Sequence, residues 1–299
     1  MGFFVKESIK VAAIQSLIIQ GEKEKNLEGA FALLEKALEQ KPRLVCFTQA
    51  FGSGINFIIL QKMAEPIPDG KIAKLLSEKA REKGIFIAAG ILELGEDGKV
   101  YDAAVLFAPN GDLLGKYRRW VRWGGEINYI SQGIPIACIQ TEIGKVGLIL
   151  GYDLCFPHTC HRYFLQGVDM IICCGAIFED LSHDAQLFCS ARAMENHCYL
   201  IYAGAIGEHQ FANMHYMGHS VITCDPYFMV KQLKEEIRPG MDILAKAGKG
   251  EEVILANLFI EDLQKGRKKL PFQKDLERTL NYSYESSLNK PGDQKVVIV

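Results

Sequence analysis

The sequence has no apolar segment long enough to cross a membrane, and it has little excess charge of either sign. No run of 18 or more residues is uniformly apolar, which argues against a transmembrane helix. The 299 residues carry a net charge of −2, so the chain lacks the basic surface that nucleic-acid binding usually requires. Composition therefore predicts a soluble globular protein that binds neither a membrane nor nucleic acid.

The chain also lacks the marks of a secreted protein. Its first residues, "MGFFVKESIKVAAIQ", have neither the basic lead-in nor the longer apolar region of a signal peptide. The nine cysteines are odd in number and most lie among apolar residues, as reduced core thiols do. We therefore expect a cytoplasmic protein without a disulfide framework.

Strand and helix patterns alternate along most of the chain, which is typical of a layered α/β domain. Apolar runs predict strands at 9–16, 43–47, 85–94, 146–150, 170–174, 199–205 and 252–258. Helical periodicity predicts helices at 22–40, at 70–83 with Gly84 as the C-cap, after Pro157, and at 184–196. Turn residues at 109–112 and 225–228 predict two hairpins, spanning 101–119 and 220–233. This mixture indicates two mixed sheets packed together, with helices on their outer faces.

The polar end of the chain differs from the rest. Residues 1–273 are predicted to form a single domain, and residues 274–299 a tail that wraps the surface, contacts a partner or is mobile. The basic stretch "KGRKK" at 265–269 is interpreted as a solvated surface turn after the last strand.

Six segments occur in the order in which they are found in the nitrilase, or carbon-nitrogen hydrolase, superfamily, which the chain resembles over nearly all of its length. They are "RLVCFTQAF", "GDLLGKYRRW", "GEINYISQG", "GLILGYDLCFP", "ARAMENHCYLI" and "GHSVITCDP". The resemblance implies a four-layer α-β-β-α sandwich with two mixed sheets of the six-stranded type. It also implies a homodimer or higher homo-oligomer, paired through helices near 157–166 and 184–196.

Members of this superfamily hydrolyse nitriles or amides with a Glu, a Lys and a Cys, and the resemblance places different residues at all three positions. They are Gln49, Arg119 and Gly151. Glu126 falls on a second glutamate, carried by a loop, that helps to position the substrate and the lysine. The backbone N–H of Tyr152 falls beside the site.

The three replacements remove most of the expected chemistry. Glycine has no side chain, so Gly151 cannot form a covalent intermediate. A glutamine amide does not take up a proton near neutral pH, so Gln49 cannot act as the general base. Arg119 keeps a positive charge that can stabilise an oxyanion, and Glu126 can pair with it. We expect ordinary amidase or nitrilase activity to be absent.

These residues favour the hypothesis of a binding function. Loss of a thiol is expected to leave space at the pocket floor, and loss of a glutamate charge to favour anions. The hypothesis is a degenerate family member that binds a small carboxylate, amide or related metabolite through five residues: Gln49, Arg119, Glu126, Gly151 and Tyr152. Loops at 52–63 and 207–216 are expected to set the specificity.

Two alternatives stay open at this point. In the first, the chain is a scaffolding or assembly subunit. In the second, it hydrolyses C–N bonds by an altered mechanism that uses water or Cys155. Cys155 is interpreted as a packed thiol, because nothing in the sequence indicates a lowered pKa. The cluster "CFPHTCHR", with Cys155, His158, Cys160 and His161, does not have the spacing of common zinc sites. No metal and no cofactor are expected.

Overall fold

Two six-stranded sheets packed face to face form the centre of the protein in a computed structural model. The structure describes residues 8–178, 185–209, 214–227, 238–272, 274–275 and 278–279. The expected α-β-β-α architecture is confirmed, since helices cover the outer face of each sheet.

The first sheet has three parallel strands at its centre and antiparallel strands at both sides. Its spatial order is β14 (Glu252–Leu258), β1 (Ile9–Gln15), β2 (Leu44–Cys46), β3 (Phe86–Leu94), β4 (Val100–Phe107) and β5 (Leu113–Arg118). The predicted hairpin at 101–119 is present as β4 and β5.

The second sheet also has three parallel central strands. Its spatial order is β13 (Ile243–Lys246), β12 (Val221–Thr223), β9 (Tyr199–Gly204), β8 (Met170–Gly175), β7 (Gly144–Leu150) and β6 (Ile139–Thr141). A separate antiparallel pair, β10 (Ile206–His209) and β11 (Met214–Met217), overlaps the segment 207–216 that was expected to be a loop.

Six α-helices are described. They are α1 (Lys23–Leu38), α2 (Leu60–Met63), α3 (Lys71–Lys83), α4 (Pro157–Phe164), α5 (Ala185–Glu195) and α6 (Ile260–Arg267). Helices α1 and α3 pack on the first sheet, and α4 and α5 pack on the second. Gly84 ends α3 in the left-handed conformation, with φ of 64°, as predicted for a C-cap. None of the described helices is both long and apolar enough to cross a membrane.

The layers follow from the alternation of side chains along each buried strand. In β8, Ile172 and Cys174 face the core between the sheets, whereas Ile171 and Cys173 face α4 and α5. Central parallel strands covered on both faces contain almost only apolar residues, which is why they were recognisable as continuous apolar runs.

One expectation about the last third of the chain needs correction, and another lies partly outside the described residues. The segment interpreted as a solvated turn begins inside α6, and its Arg267 is not solvated. The guanidinium pairs with the buried carboxylate of Asp169 and donates a hydrogen bond to the Val168 carbonyl. In the second predicted hairpin, the return strand at 229–233 lies outside the described residues. β12 pairs with β9 and β13 in the part that is described.

Candidate functional site

The three candidate catalytic positions lie close to the carboxyl ends of three strands. Arg119 directly follows β5, Gly151 directly follows β7, and Gln49 lies three residues beyond β2. The backbone N–H of Gln49 donates a hydrogen bond of 3.4 Å to the carbonyl of Gly175 at the end of β8, which links the two sheets. Ligand sites of α/β proteins commonly occur at this edge.

Gly90 in β3 allows the backbone of Gln49 to take this position. A Cβ atom at residue 90 would lie 2.5 Å from the Cα of Gln49 and 2.9 Å from the backbone N of Ala50. Only glycine avoids that contact, because the obstructing atoms belong to the backbone.

Glu126 and Arg119 form the ion pair that the sequence suggested. Arg119 Nη2 donates to Glu126 Oε2 at 2.6 Å, and the same oxygen accepts the backbone N–H of Trp123 at 2.9 Å. The glutamate lies in a short 3-10 helix, Gly124–Asn128. Both side chains are almost fully buried.

Asp102 is a further member of the site that the sequence analysis did not identify. It is fully buried in β4, where its Oδ2 accepts a hydrogen bond from Gln49 Nε2 at 2.5 Å. The same oxygen lies 3.1 Å from Arg119 Nε, close enough for an ion pair although the angle does not suit a hydrogen bond. A lone carboxylate in the apolar run "VYDAAVLF" is the signal that could have revealed it.

The positive charge of Arg119 is therefore compensated inside the protein. Burial lowers the pKa of Arg119, but the negative charges of Glu126 and Asp102 outweigh that effect and raise it above its usual value. Arg119 is 3% exposed and has a carboxylate beside each end of its guanidinium group. The expected preference of the site for anions is not supported by this geometry, because two carboxylates already compensate the charge of Arg119.

Two buried carboxyl groups near Arg119 have raised pKa values. Burial raises the pKa of Asp102 to about 7, although the charge of Arg119 opposes the shift. Burial also raises the pKa of Asp153 to about 6, opposed by hydrogen bonds from the backbone of Val121 and the hydroxyl of Tyr117. Only part of the Asp102 population is ionised near neutral pH.

Gly151 does not leave empty space, contrary to expectation. A Cβ atom built on Gly151 would collide with Gln49 Oε1 and lie 3.2 Å from Gln49 Cδ. The Gln49 side chain is long enough to reach the position of the missing side chain while its Nε2 is held by Asp102. Gly151 also has φ of +34°, in the region that favours glycine. The Gln49 carboxamide thus fills the floor of the site.

A small cavity of about 20 Å³ remains above this floor, enough for about one water molecule. Gln49, Arg119, Glu126 and Tyr152, from the expected set, line it together with Ile55, Trp123, Ala176, Ile177, Phe178, His209 and Tyr216. Ile55 comes from one loop expected to set specificity, and His209 and Tyr216 from the other. The aromatic members come from separate segments without a motif, so the sequence analysis missed them.

Cys155 is not among the residues that line the cavity. It is half-buried, and burial raises its thiol pKa above the usual value, which disfavours the reactive thiolate. Nearby histidines pack against rings, His158 against Trp120 and His161 against Phe164. In the described part of the chain, no group of three or more His, Cys, Asp or Glu residues is arranged to hold a metal ion.

Comparisons with known proteins agree with this architecture. The model of a family described as carbon-nitrogen hydrolase matches residues 10–268. The chain is 27% identical over 288 residues to omega-amidase NIT2 of Xenopus tropicalis, covering 93% of this chain and 98% of that protein. It is 26% identical over 295 residues to omega-amidase NIT2 of Homo sapiens, covering 95% and 99%.

Solved structures show the same fold. Saccharomyces cerevisiae Nit3, a member of branch 10 of the nitrilase superfamily, has a TM-score of 0.76 and 26% identity, with 89% of this chain and 95% of that chain covered. An amidase from Nesterenkonia sp. has a TM-score of 0.72 and 19% identity, with 90% and 99% covered.

The contact between Gln49 and Gly151 predicts that a side chain at residue 151 destabilises the fold. Gly98 is the matched control, because its φ is +73° but a Cβ there would meet open space. We expect Gly98→Ala to cost about 1 kcal/mol for the backbone conformation. Gly151→Ala should cost about 1–3 kcal/mol more, because it overpacks the site. Urea unfolding measures both values.

A double-mutant cycle tests whether Gln49 causes the additional cost. In a Gln49→Ala background, Gly151→Ala should cost no more than Gly98→Ala does, with a coupling of about 1–3 kcal/mol. Additive effects, or equal costs at residues 98 and 151, would contradict the contact.

The raised pKa of Asp102 predicts a pH dependence of stability. Asp102 keeps its proton in the folded protein up to about pH 7, whereas in the unfolded chain it loses the proton near pH 3.8. Its contribution is therefore complete below pH 4 and is lost as the pH rises towards 7. Between pH 4 and 8, the unfolding free energy of the parent should fall relative to Asp102→Asn by up to about 4 kcal/mol. A difference in unfolding free energy between the two proteins that stays constant across this range would contradict the raised pKa of Asp102.

Proposed function

We propose, since this chain belongs to the carbon–nitrogen hydrolase family, that it is a member which binds a small neutral amide at the family's site and does not hydrolyse it through a covalent intermediate. The observation that carries the proposal is the contact between Gly151 and Gln49. Residue 151 has no side chain, and the Gln49 carboxamide lies where one would begin.

The chemical support for this proposal is that Gln49 and Gly151 supply neither a general base nor a nucleophile at the two positions where the family resemblance places them. Glycine offers no attacking atom, and the amide of Gln49 does not accept a proton. In enzymes with a catalytic triad, removal of these groups leaves roughly 10³- to 10⁴-fold acceleration over water, from binding and oxyanion contacts alone. The name omega-amidase describes the relatives and is not assigned to this chain.

A neutral amide fits the polar groups better than a carboxylate does. Arg119 is already paired with Glu126 and Asp102, so an added anion would meet no net positive charge. Gln49 Oε1 is buried and has no hydrogen-bond partner among the described residues, and an amide N–H can donate to it. The cavity admits only about one water molecule, so a ligand also requires the Gln49 side chain to move.

A solved structure with the same fold offers a parallel. It is a double mutant of the amidase from Nesterenkonia sp. AN1, with a Glu→Gln and a Cys→Ala change, in complex with acrylamide, and its TM-score is 0.72. Those two changes resemble the replacements that the sequence resemblance implies at Gln49 and Gly151. The parallel favours amide binding without turnover.

Hydrolysis assays test this proposal directly. We expect no turnover of a panel of aliphatic amides and nitriles by the parent chain or by Cys155→Ala. Gln49→Glu, Arg119→Lys and Gly151→Cys together should gain activity, and the same variant with Gly151→Ala in place of Gly151→Cys is the control without a thiol. Activity of the parent that disappears in Cys155→Ala would establish the altered mechanism instead.

Assembly is a second candidate function, favoured by an apolar surface on α4 and α5. Leu187 and Met194 lie seven residues apart, on one face of α5, and are 62% and 39% exposed. Leu165, next to the end of α4, is 42% exposed. Helices α4 and α5 contact each other, so these side chains can form one surface for a second copy of the chain.

Substitution at the centre of this surface tests the assembly proposal. Light scattering after size exclusion should give a dimer or larger oligomer for the parent and a smaller species for Leu187→Glu, because burying a charge opposes association. Ile134→Glu is the control, since Ile134 is 77% exposed and outside α4 and α5. A monomeric parent, or equal effects of both variants, would refute the proposed interface.

A cytoplasmic location belongs to this proposal as well. All nine cysteines are free thiols. Burial raises the thiol pKa of several of them, including Cys46, Cys173 and Cys198, as expected of reduced core residues.

A further inference from the structure

A second pocket lies at the opposite edge of the second sheet from Gly151. Lys145 is the second residue of β7, and Asp169 immediately precedes β8, so both lie at the amino ends of these strands. Five residues of extended chain, roughly 17 Å, separate Lys145 from Leu150. This distance separates the pocket from the central site. The pocket has a volume of about 610 Å³, within the usual range for small-molecule sites.

Positive charge is concentrated in this pocket. Its lining contains four cationic side chains, Lys145, Arg267, Lys268 and Lys274, and one carboxylate, Asp169. The whole chain has a net charge of −2, so the excess is local. Such a concave basic surface attracts anions.

Both oxygens of the Asp169 carboxylate have partners within the protein. One oxygen accepts hydrogen bonds from the backbone N–H of Lys145 at 2.9 Å and from Gln264 Nε2 at 2.8 Å. The other oxygen pairs with Arg267. Asp169 thus compensates Arg267 and fixes α6 to the sheet, which leaves the lysine charges uncompensated within the pocket lining.

Lys145 is held in place yet keeps donors for a ligand. Its Nζ donates to the carbonyl of Gln166 at 3.0 Å, which uses one of its three N–H groups. The side chain is half-buried, so its position is more restricted than that of Lys268 and Lys274 at the exposed rim.

An aromatic platform lies beside these lysines. The rings of Phe272 and His197 stack with centroids 4.1 Å apart and an interplanar angle of 26°. His197 Nδ1 is within 2.6 Å of Asp225 Oδ2, which orients the imidazole ring. Phe272 remains 44% exposed, so part of its side chain is open to solvent.

We infer that this pocket binds a small phosphate monoester with a planar ring, of the size of a nucleoside monophosphate. The phosphate lies among Lys145, Lys268 and Lys274, whose ammonium groups suit a compact dianion. The ring stacks on Phe272. The inference is independent of the function proposed for the central site.

Titration calorimetry of the full chain with adenosine 5′-monophosphate tests this site, with adenosine and inorganic phosphate as partial ligands. The nucleotide should bind more tightly than either. Lys268→Glu should weaken it about tenfold, as expected for loss of a charged contact. Phe272→Ala should weaken the nucleotide but not inorganic phosphate. Lys265→Glu is the matched control, because Lys265 lies three residues before Lys268, pairs with Glu261 and does not line the pocket.

Three results would overturn the inference. One is no binding of the nucleotide at millimolar concentration. Another is equal weakening by Lys265→Glu and Lys268→Glu, which would indicate non-specific ionic attraction. A third is tighter binding of a short single-stranded oligonucleotide than of the monophosphate, which would indicate a nucleic-acid surface instead of a small-molecule site.

Discussion

One chain of buried polar contacts, from Glu126 through Arg119 and Asp102 to Gln49, determines the character of the central site. It joins the 3-10 helix at Gly124–Asn128, the ends of β5 and β2, and the first half of β4. Each buried charge in this series of contacts needs its neighbour, because burying an unpaired ion in an apolar interior costs several kcal/mol of folding free energy. Arg119 and Gln49 are thus held by the protein itself, and the site is closed at its floor.

The same contacts account for the electrostatics of the site. A free arginine at residue 119 would suggest an anion site. Here two carboxylates flank it, and one of them, Asp102, is only partly ionised near neutral pH. The site is therefore close to balanced in charge, which suits a neutral polar ligand better than a carboxylate. The positive charge available to an anion lies at the other end of β7, around Lys145.

Much of the fold could be predicted from the sequence, because apolar runs and turn residues are local signals. The central strands β7, β8 and β9 and the β4–β5 hairpin were found in this way. The β10–β11 pair was missed because no alternating apolar pattern distinguishes its residues from a loop. Helix α6 was missed because its polar surface resembled a solvated turn, although Arg267 reaches a buried carboxylate 98 positions earlier in the sequence.

For the candidate site, the sequence predicted that Gln49, Arg119 and Gly151 lie near strand ends, where the structure has them. The pairing of Glu126 with Arg119 followed from their opposite charges. The direction of the Gln49 side chain could not, because it depends on Asp102, 53 residues away. The central claim is that, among the described residues, no nucleophile lies at this site. Intact-mass measurement of the native chain after exposure to acrylamide or fluoroacetamide tests it most directly. The account predicts an unchanged mass, and a stoichiometric adduct on a residue that lines the cavity would contradict it.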